Sequence, residues 1–135
     1  MKILLDTNAY SALMRGVGEV AERVRRAERV LLSPVVIGEL LYGFRNGSRE
    51  AENTRQLEAF FESPMVELLT VTRTTADRFA RIASGLKRKG RPIPVNGVWI
   101  AAQAFETGAE LLSSNRHFGE VEGLAWVRFE ASSEA

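Results

Sequence analysis

The segment KILLDTN, residues 2–8, places a short apolar run directly before an acid. An apolar run without polar alternation is typical of a strand that is buried on both faces of a parallel sheet. Comparable runs predict further strands at RVLLS (29–33), VELLTV (66–71), AELLSS (109–114) and AWVRF (125–129). Amphipathic helical patterns separate the first four strands. This alternation predicts an α/β fold over residues 1–130, a single three-layer domain with a central parallel sheet and helices on both faces.

The composition is that of an ordinary one-domain protein. The chain has 135 residues, 45% of them hydrophobic, and a formal net charge of +1, which gives no overall attraction to nucleic acid. It contains no cysteine, which excludes disulfides and thiolate metal sites. The apolar run before Asp6 is too short for a signal peptide, and no stretch is long enough to span a membrane. We therefore expect a cytoplasmic protein with a frayed tail at 131–135.

Two helix starts carry the most information. Ser33 and Pro34 predict an N-cap and a first-turn proline for a helix over VVIGELLYGFRNG, residues 35–47. In RPIPVNGVWIAAQAF, residues 91–105, the prolines hold the chain extended and Asn96 predicts the N-cap of a buried helix. Gly97 follows at a position where an acid would suit the helix dipole.

Polar residues are concentrated where the predicted strands end. The carboxyl ends of parallel strands form one edge, and open α/β sheets bind ligands there. A buried carboxylate needs a partner or a cation, and Mg²⁺ or Mn²⁺ would offset the repulsion of two acids. Alternatively, Asp6 caps the next helix and Glu39 pairs with an arginine. The residues of interest at this edge are the polar residues Asp6, Thr7, Asn8, Glu39, Asn96, Ser113, Ser114 and Asn115, together with Gly97.

Four motifs occur in order: LLDTN (4–8), GELLYG (38–43), IPVNGVWIAA (93–102) and LLSSNRHF (111–118). Together they resemble a PIN-domain ribonuclease of the VapC toxin type, over nearly the whole chain. The resemblance implies a homodimer that cuts RNA with Mg²⁺ held by acids and is silenced by an antitoxin protein. It also matches Asp6 and Glu39 to the first two metal-binding acids, and Ser113 to the hydroxyl of the last motif.

The sequence departs from the family pattern at two of its four acids. The third acid usually follows the Asn of an I-P-x-N-D motif, where this chain has Gly97, and the fourth ends a T-x-D pattern, where it has Asn115. Asn115 offers a carbonyl oxygen but cannot act as a base. We therefore expect weak binding of Mg²⁺ or Mn²⁺ by Asp6, Glu39 and Asn115, and reduced or absent nuclease activity. The supporting residues are Thr7, Asn8, Asn96 and Ser113.

Other features allow a binding role and a structural one. His117, the only histidine, is predicted to pack within its turn rather than act as a general base. A basic cluster either contacts RNA phosphates or forms a solvated helix end that complements the helix dipole. Its members are Lys87, Arg88, Lys89 and Arg91.

Several aromatic residues are predicted to be structural. Trp99 and Trp126 are expected in the core rather than as base-stacking platforms. The stripe of Leu57, Phe60 and Phe61 forms core or, by the resemblance, part of a groove for an antitoxin segment.

Three functions compete at this point. The first is a Mg²⁺-dependent endoribonuclease toxin, and the second is a catalytically dead PIN-fold module that binds an antitoxin or RNA. The third is a haloacid-dehalogenase-like phosphatase, whose chemistry needs D-x-D where this chain has Asp6, Thr7 and Asn8.

Overall fold

The computed structural model describes residues 1–130, in which five short strands alternate with helices. The strands are β1 (Lys2–Leu5), β2 (Arg29–Leu32), β3 (Val66–Leu68), β4 (Glu110–Ser113) and β5 (Trp126–Arg128). The helices are α1 (Thr7–Met14), α2 (Gly18–Arg26), α3 (Pro34–Arg45), α4 (Glu50–Phe61), α5 (Arg73–Arg88) and α6 (Val95–Thr107). A short 3₁₀ helix covers Arg116–Glu120 between β4 and β5.

The sheet is parallel throughout, with the strand order β3-β2-β1-β4-β5, which confirms the predicted parallel arrangement. The central strand β1 pairs with β2 and β4, so that Leu5 is in register with Leu32 and Leu112. Asp6 directly follows β1 and Ser113 ends β4, so the two residues emerge side by side at the carboxyl edge of the sheet.

The central strands are buried on both faces. The consecutive residues Ile3, Leu4 and Leu5 are each at most 1% exposed, although their side chains alternate between the two faces of the sheet. Helices therefore cover both faces, as predicted for the three-layer fold. Each fully buried leucine contributes about 1.5–3 kcal/mol relative to an exposed one, so these strands form a rigid base for the edge that follows them.

Helix α6 begins earlier than predicted. Pro94 precedes its first residue with ψ of 145°, and no side chain caps the helix start. The prediction that Asn96 is the N-cap is wrong, because the fixed φ of Pro94 suits the entry to a helix and Asn96 is already the second helical residue. Gly97 is consequently the third residue of α6, inside its first turn.

Three smaller observations complete the fold. β3 ends at Leu68, short of the strand predicted over 66–71, and the predicted frayed tail at 131–135 lies outside the described residues. Ala76 and Ala80 of α5 are exposed, whereas Thr75 and Leu86 of the same helix are buried. No helix within residues 1–130 has the length and apolar character needed to cross a membrane.

Candidate active site

A cavity of about 790 Å³ opens at the carboxyl edge of the sheet, where β1 and β4 end and α3 and α6 begin. Polar residues from four separate segments meet in its wall, as the parallel topology predicts. Two predicted residues do not line it: Ser113 lies behind Asp6, to which it donates a hydrogen bond, and Ser114 does not reach the cavity. The lining residues are Asp6, Thr7, Asn8, Pro34, Val35, Gly38, Glu39, Tyr42, Pro94, Asn96, Gly97, Trp99, Ile100, Asn115, His117 and Phe118.

Asp6 is the buried acid of this cavity, with 5% of its surface exposed. Its Oδ1 accepts a hydrogen bond from the backbone N–H of Ala9 at 2.8 Å, and Ser113 Oγ donates to Oδ2 at 2.5 Å. Burial, with a smaller contribution from the charge of Glu39, raises the pKa of Asp6 from 3.8 to about 6 against these hydrogen bonds. Asp6 thus caps α1, as the structural alternative predicted, and also presents to the cavity a carboxylate that is costly to ionise.

Glu39 lies half-buried on α3, whose start is set by the Ser33 hydroxyl accepting from the Val35 N–H at 3.0 Å. Thr7 Oγ1 donates a hydrogen bond to Glu39 Oε1, and Asn96 Nδ2 donates to Oε2 at 2.9 Å. The alternative in which Glu39 pairs with an arginine is wrong: among residues 1–130 its hydrogen-bond partners come from α1 and α6. These neutral donors hold the carboxylate in place without neutralising its charge.

Two consecutive hydrogen bonds connect Asn115 to Asp6 through the Ser113 hydroxyl. The backbone N–H of Asn115 donates to Ser113 Oγ at 2.9 Å, and the same hydroxyl donates to Asp6. Asn115 Oδ1 accepts from the His117 N–H at 2.9 Å and caps the 3₁₀ helix. The amide oxygen that was predicted as a third metal ligand therefore already has one partner, which leaves its second lone pair for any other ligand.

Neither space nor backbone requires a glycine at position 97. A Cβ on Gly97 would lie 3.4 Å from Ile93 Cδ1 and 3.6 Å from the Phe118 ring, which is ordinary contact. Its φ is not in the left-handed region. Since glycine weakens a helix by about 1 kcal/mol relative to alanine, the residue costs stability and leaves the cavity without a side chain there.

The donor set fits a hard divalent cation held by few protein ligands. Mg²⁺ is commonly bound through one or two carboxylates, with waters and substrate phosphates completing its shell, and Asp6 and Glu39 supply two carboxylates on one cavity. A cation would also offset the cost of desolvating the Asp6 carboxylate and its repulsion by Glu39, which together raise the pKa of Asp6. No group of three Asp, Glu, His or Cys side chains within residues 1–130 is placed to hold a metal ion. The fit is therefore to a two-acid site.

The basic cluster lies outside this cavity. Lys89 Nζ donates to the Glu120 backbone oxygen at 2.5 Å and lies 3.7 Å from the Glu120 carboxylate. Arg88 and Lys89 line a separate cavity of about 520 Å³, while Lys87 and Arg91 are exposed. None of the four basic residues lines the cavity of Asp6 and Glu39.

Side chains that the sequence did not assign to the site also face it. His117 is exposed on the cavity wall, so the prediction that it packs within its turn is wrong. Trp99 is half-buried and packs against Phe79 with ring centroids 4.2 Å apart. It therefore takes part in packing, as predicted, and also lines the cavity. Tyr42 is 73% exposed at the rim. The sequence could have indicated that Tyr42 lies at the site, because residues three positions apart on a helix share a face and Tyr42 follows Glu39 by three.

Comparison with known proteins agrees with the fold and the motifs. The family model of the PIN domain matches residues 3–124. Ribonuclease VapC1 of Haemophilus influenzae strain R2866 is 30% identical over 131 residues, which cover 93% of this chain and 96% of that protein. The phosphatase alternative is therefore wrong.

Two solved structures share both fold and sequence with this chain. VapBC-1 from nontypeable Haemophilus influenzae superimposes with a TM-score of 0.83 at 29% identity, covering 95% of this chain and 98% of that one. DNA-bound VapBC from Salmonella typhimurium gives a TM-score of 0.85 at 25% identity, with the same coverage. The sequence motifs, the parallel sheet and these matches establish that the chain belongs to the PIN-domain family, among its VapC-type proteins.

Proposed function

We propose that this chain is an endoribonuclease toxin of the VapC type, dependent on Mg²⁺ or Mn²⁺ and weakened by Gly97 and Asn115. The convergence of Asp6 and Glu39 on one cavity, with the pKa of Asp6 raised to about 6, carries the proposal. Strongly perturbed carboxyls in a cleft are characteristic of functional sites. The relative VapC1 is named as a ribonuclease, which supports the same reaction here.

In this proposal each residue has a defined task. Asp6 and Glu39 would hold the cation, whose chemistry when bound would be to supply an activated water and to stabilise charge on the scissile phosphate. Ser113 orients Asp6, while Thr7 and Asn96 orient Glu39. Asn8 is exposed on the cavity wall, where it can donate to a bound phosphate.

We expect weakened cleavage because Gly97 and Asn115 stand where acids would assist the attacking water. A positioned acid or base contributes roughly 10²–10⁴-fold to a proton transfer, and neither Gly97 nor Asn115 can accept a proton. This same observation favours the second candidate function, a catalytically dead PIN-fold module that binds an antitoxin or RNA.

Cleavage of single-stranded RNA by the purified chain tests the proposal. We expect slow cleavage that requires Mg²⁺ or Mn²⁺, is blocked by a chelator and is absent in Asp6→Ala. Calorimetric titration should show weak divalent binding to the unmodified chain and none to this variant. Equal metal affinity in both proteins would contradict the site, and metal-independent cleavage would point to a contaminating nuclease.

The partners follow from the same family relation. The two structural relatives are named as VapBC pairs, which supports an antitoxin partner for this chain, and we propose a homodimer that acts in the cytoplasm. Leu57 is 5% exposed and therefore belongs to the core, while Phe60 and Phe61 are half-buried and could border a groove. Co-purification with the product of a small adjacent reading frame, followed by light scattering, tests both partners.

The basic cluster is proposed to hold RNA phosphates beyond the cavity. Lys87→Gln combined with Arg88→Gln should weaken RNA binding and reduce the slope of log affinity against log salt by about 0.7 for each phosphate that the protein no longer neutralises. Arg25→Gln combined with Arg26→Gln removes the same charge from α2 and should leave that slope unchanged. Equal slopes in all three proteins would assign the cluster to the solvated helix end instead.

A further inference from the structure

We propose that Tyr42 is a stacking platform for one base of single-stranded RNA bound beside Glu39, an inference that rests on the proposed ribonuclease function. Tyr42 is 73% exposed, and every other Phe, Tyr or Trp side chain within residues 1–130 is buried or half-buried. Tyrosine is enriched at contact surfaces, because its ring is apolar and its hydroxyl remains in contact with water.

The position of Tyr42 ties the ring to the acids. It lies three residues after Glu39 on α3, on the same helix face, and lines the same cavity as Asp6. Gly38 lies four residues before Tyr42 on the same helix face, and both residues line this cavity. A base stacked on the Tyr42 ring would therefore lie at the cavity that Asp6 and Glu39 line.

Gly38 keeps this surface open. A Cβ built on Gly38 would meet no atom within 4 Å, so packing does not demand a glycine, and its backbone is helical. A glycine inside a helix nevertheless costs stability. The missing side chain leaves open the part of the cavity wall between Gly38 and Tyr42, into which a longer side chain at position 38 would extend.

The electrostatics of the cavity favour recognition through the base. The lining includes the two acids Asp6 and Glu39, and none of the described residues that line it is a lysine or an arginine. The wall therefore offers phosphates no lysine or arginine side chain. Stacking of bases on aromatic rings needs no charge, tolerates any sequence and requires unpaired bases, which points to single-stranded RNA.

Binding of a fluorescent, non-cleavable 2′-O-methyl oligoribonucleotide, measured by anisotropy with Mg²⁺ present, tests this role independently of activity. Tyr42→Ala should weaken binding about tenfold, and Tyr42→Phe should retain the affinity because the ring remains. Gly38→Leu should also weaken binding while raising the melting temperature. Leu68→Ala, at an exposed apolar residue on β3 that does not line the cavity, should change nothing.

Salt separates stacking from phosphate contact. The weakening in Tyr42→Ala should be the same factor at low and high salt, since no counterion is released by stacking. Unchanged RNA binding in Tyr42→Ala overturns the proposal, and weaker binding of an antitoxin alone would assign the ring to that partner. Failure of every variant, including the unmodified chain, to bind RNA would overturn the proposed function as well.

Discussion

Gly97→Asp combined with Asn115→Asp is expected to raise metal-dependent cleavage of RNA by at least about 100-fold. The pair adds two carboxylates to the cavity of Asp6 and Glu39, and a positioned general base alone contributes roughly 10²–10⁴-fold. Metal affinity should rise in the same variant, because the two added carboxylates offer the cation further oxygen ligands and make the cavity more negative. Single-turnover cleavage of a short single-stranded RNA, in Mg²⁺ and in Mn²⁺, measures the change.

The structure can accommodate both substitutions. A Cβ at position 97 has the Ile93 methyl and the Phe118 ring as its nearest neighbours, both at contact distance, and an acid in the first turn of α6 interacts favourably with the helix dipole. Asn115→Asp keeps the shape of the residue, so its oxygen can still accept the His117 N–H and cap the 3₁₀ helix. The variant should therefore fold, and metal should stabilise it more than it stabilises the unmodified chain.

Gly97→Asn is the matched control, because it fills the same space as Gly97→Asp without adding a charge. It should leave cleavage at the unmodified level, and Asp6→Asn introduced into the double variant should remove the gain. A folded double variant that binds Mg²⁺ and does not cut RNA would favour the dead binding module. An unmodified chain that already cuts as fast would show that Gly97 and Asn115 do not weaken the enzyme.

Much of the site could be predicted because parallel strands end at the same edge of the sheet, so residues that follow different strands lie near one another. Strand ends at Asp6 and Ser113 had to meet once β1 and β4 paired in parallel, whatever the details of side-chain packing. Asn96 was placed wrongly because its best partner is Glu39, a residue 57 positions away that no local rule identifies. The exposure of Tyr42 depends on which face of α3 packs inward, and the apolar stretch around it looks equally suited to the core.

Asp6→Asn is expected to stabilise the metal-free protein at pH 7–8 by about 1–3 kcal/mol while it abolishes cleavage. The ionised Asp6 carboxylate is buried, and the difference between a pKa of about 6 in the folded chain and 3.8 in the unfolded one corresponds to roughly 3 kcal/mol. Asparagine keeps the size of the side chain and can still cap α1 through its amide oxygen. Equilibrium unfolding in denaturant at several pH values measures the free energy of unfolding.

The sign of the pH dependence follows from the raised pKa. Between pH 3.8 and about 6 the folded state binds the proton that the unfolded state has released, so the contribution of Asp6 to stability falls as the pH rises through this interval. The advantage of Asp6→Asn should be near zero at about pH 4, grow toward about pH 6 and level off above about pH 7. Asp77→Asn, which removes an exposed carboxylate paired with Arg81, should show no such profile.

Two further comparisons connect this stability to function. Asp6→Ala should be destabilising where Asp6→Asn is stabilising, because alanine leaves the Ala9 N–H and the Ser113 hydroxyl without the partner that Asp6 supplies. At about pH 8 Mg²⁺ should stabilise the unmodified protein and leave Asp6→Asn unchanged, since only the charged form binds the cation. A melting profile in which Asp6→Asn gains nothing at that pH would mean that burying this carboxylate costs no stability. In the proposed site a cation would offset the cost of burying this charge, and that cost would link the fold of this chain to the metal-dependent chemistry that we propose.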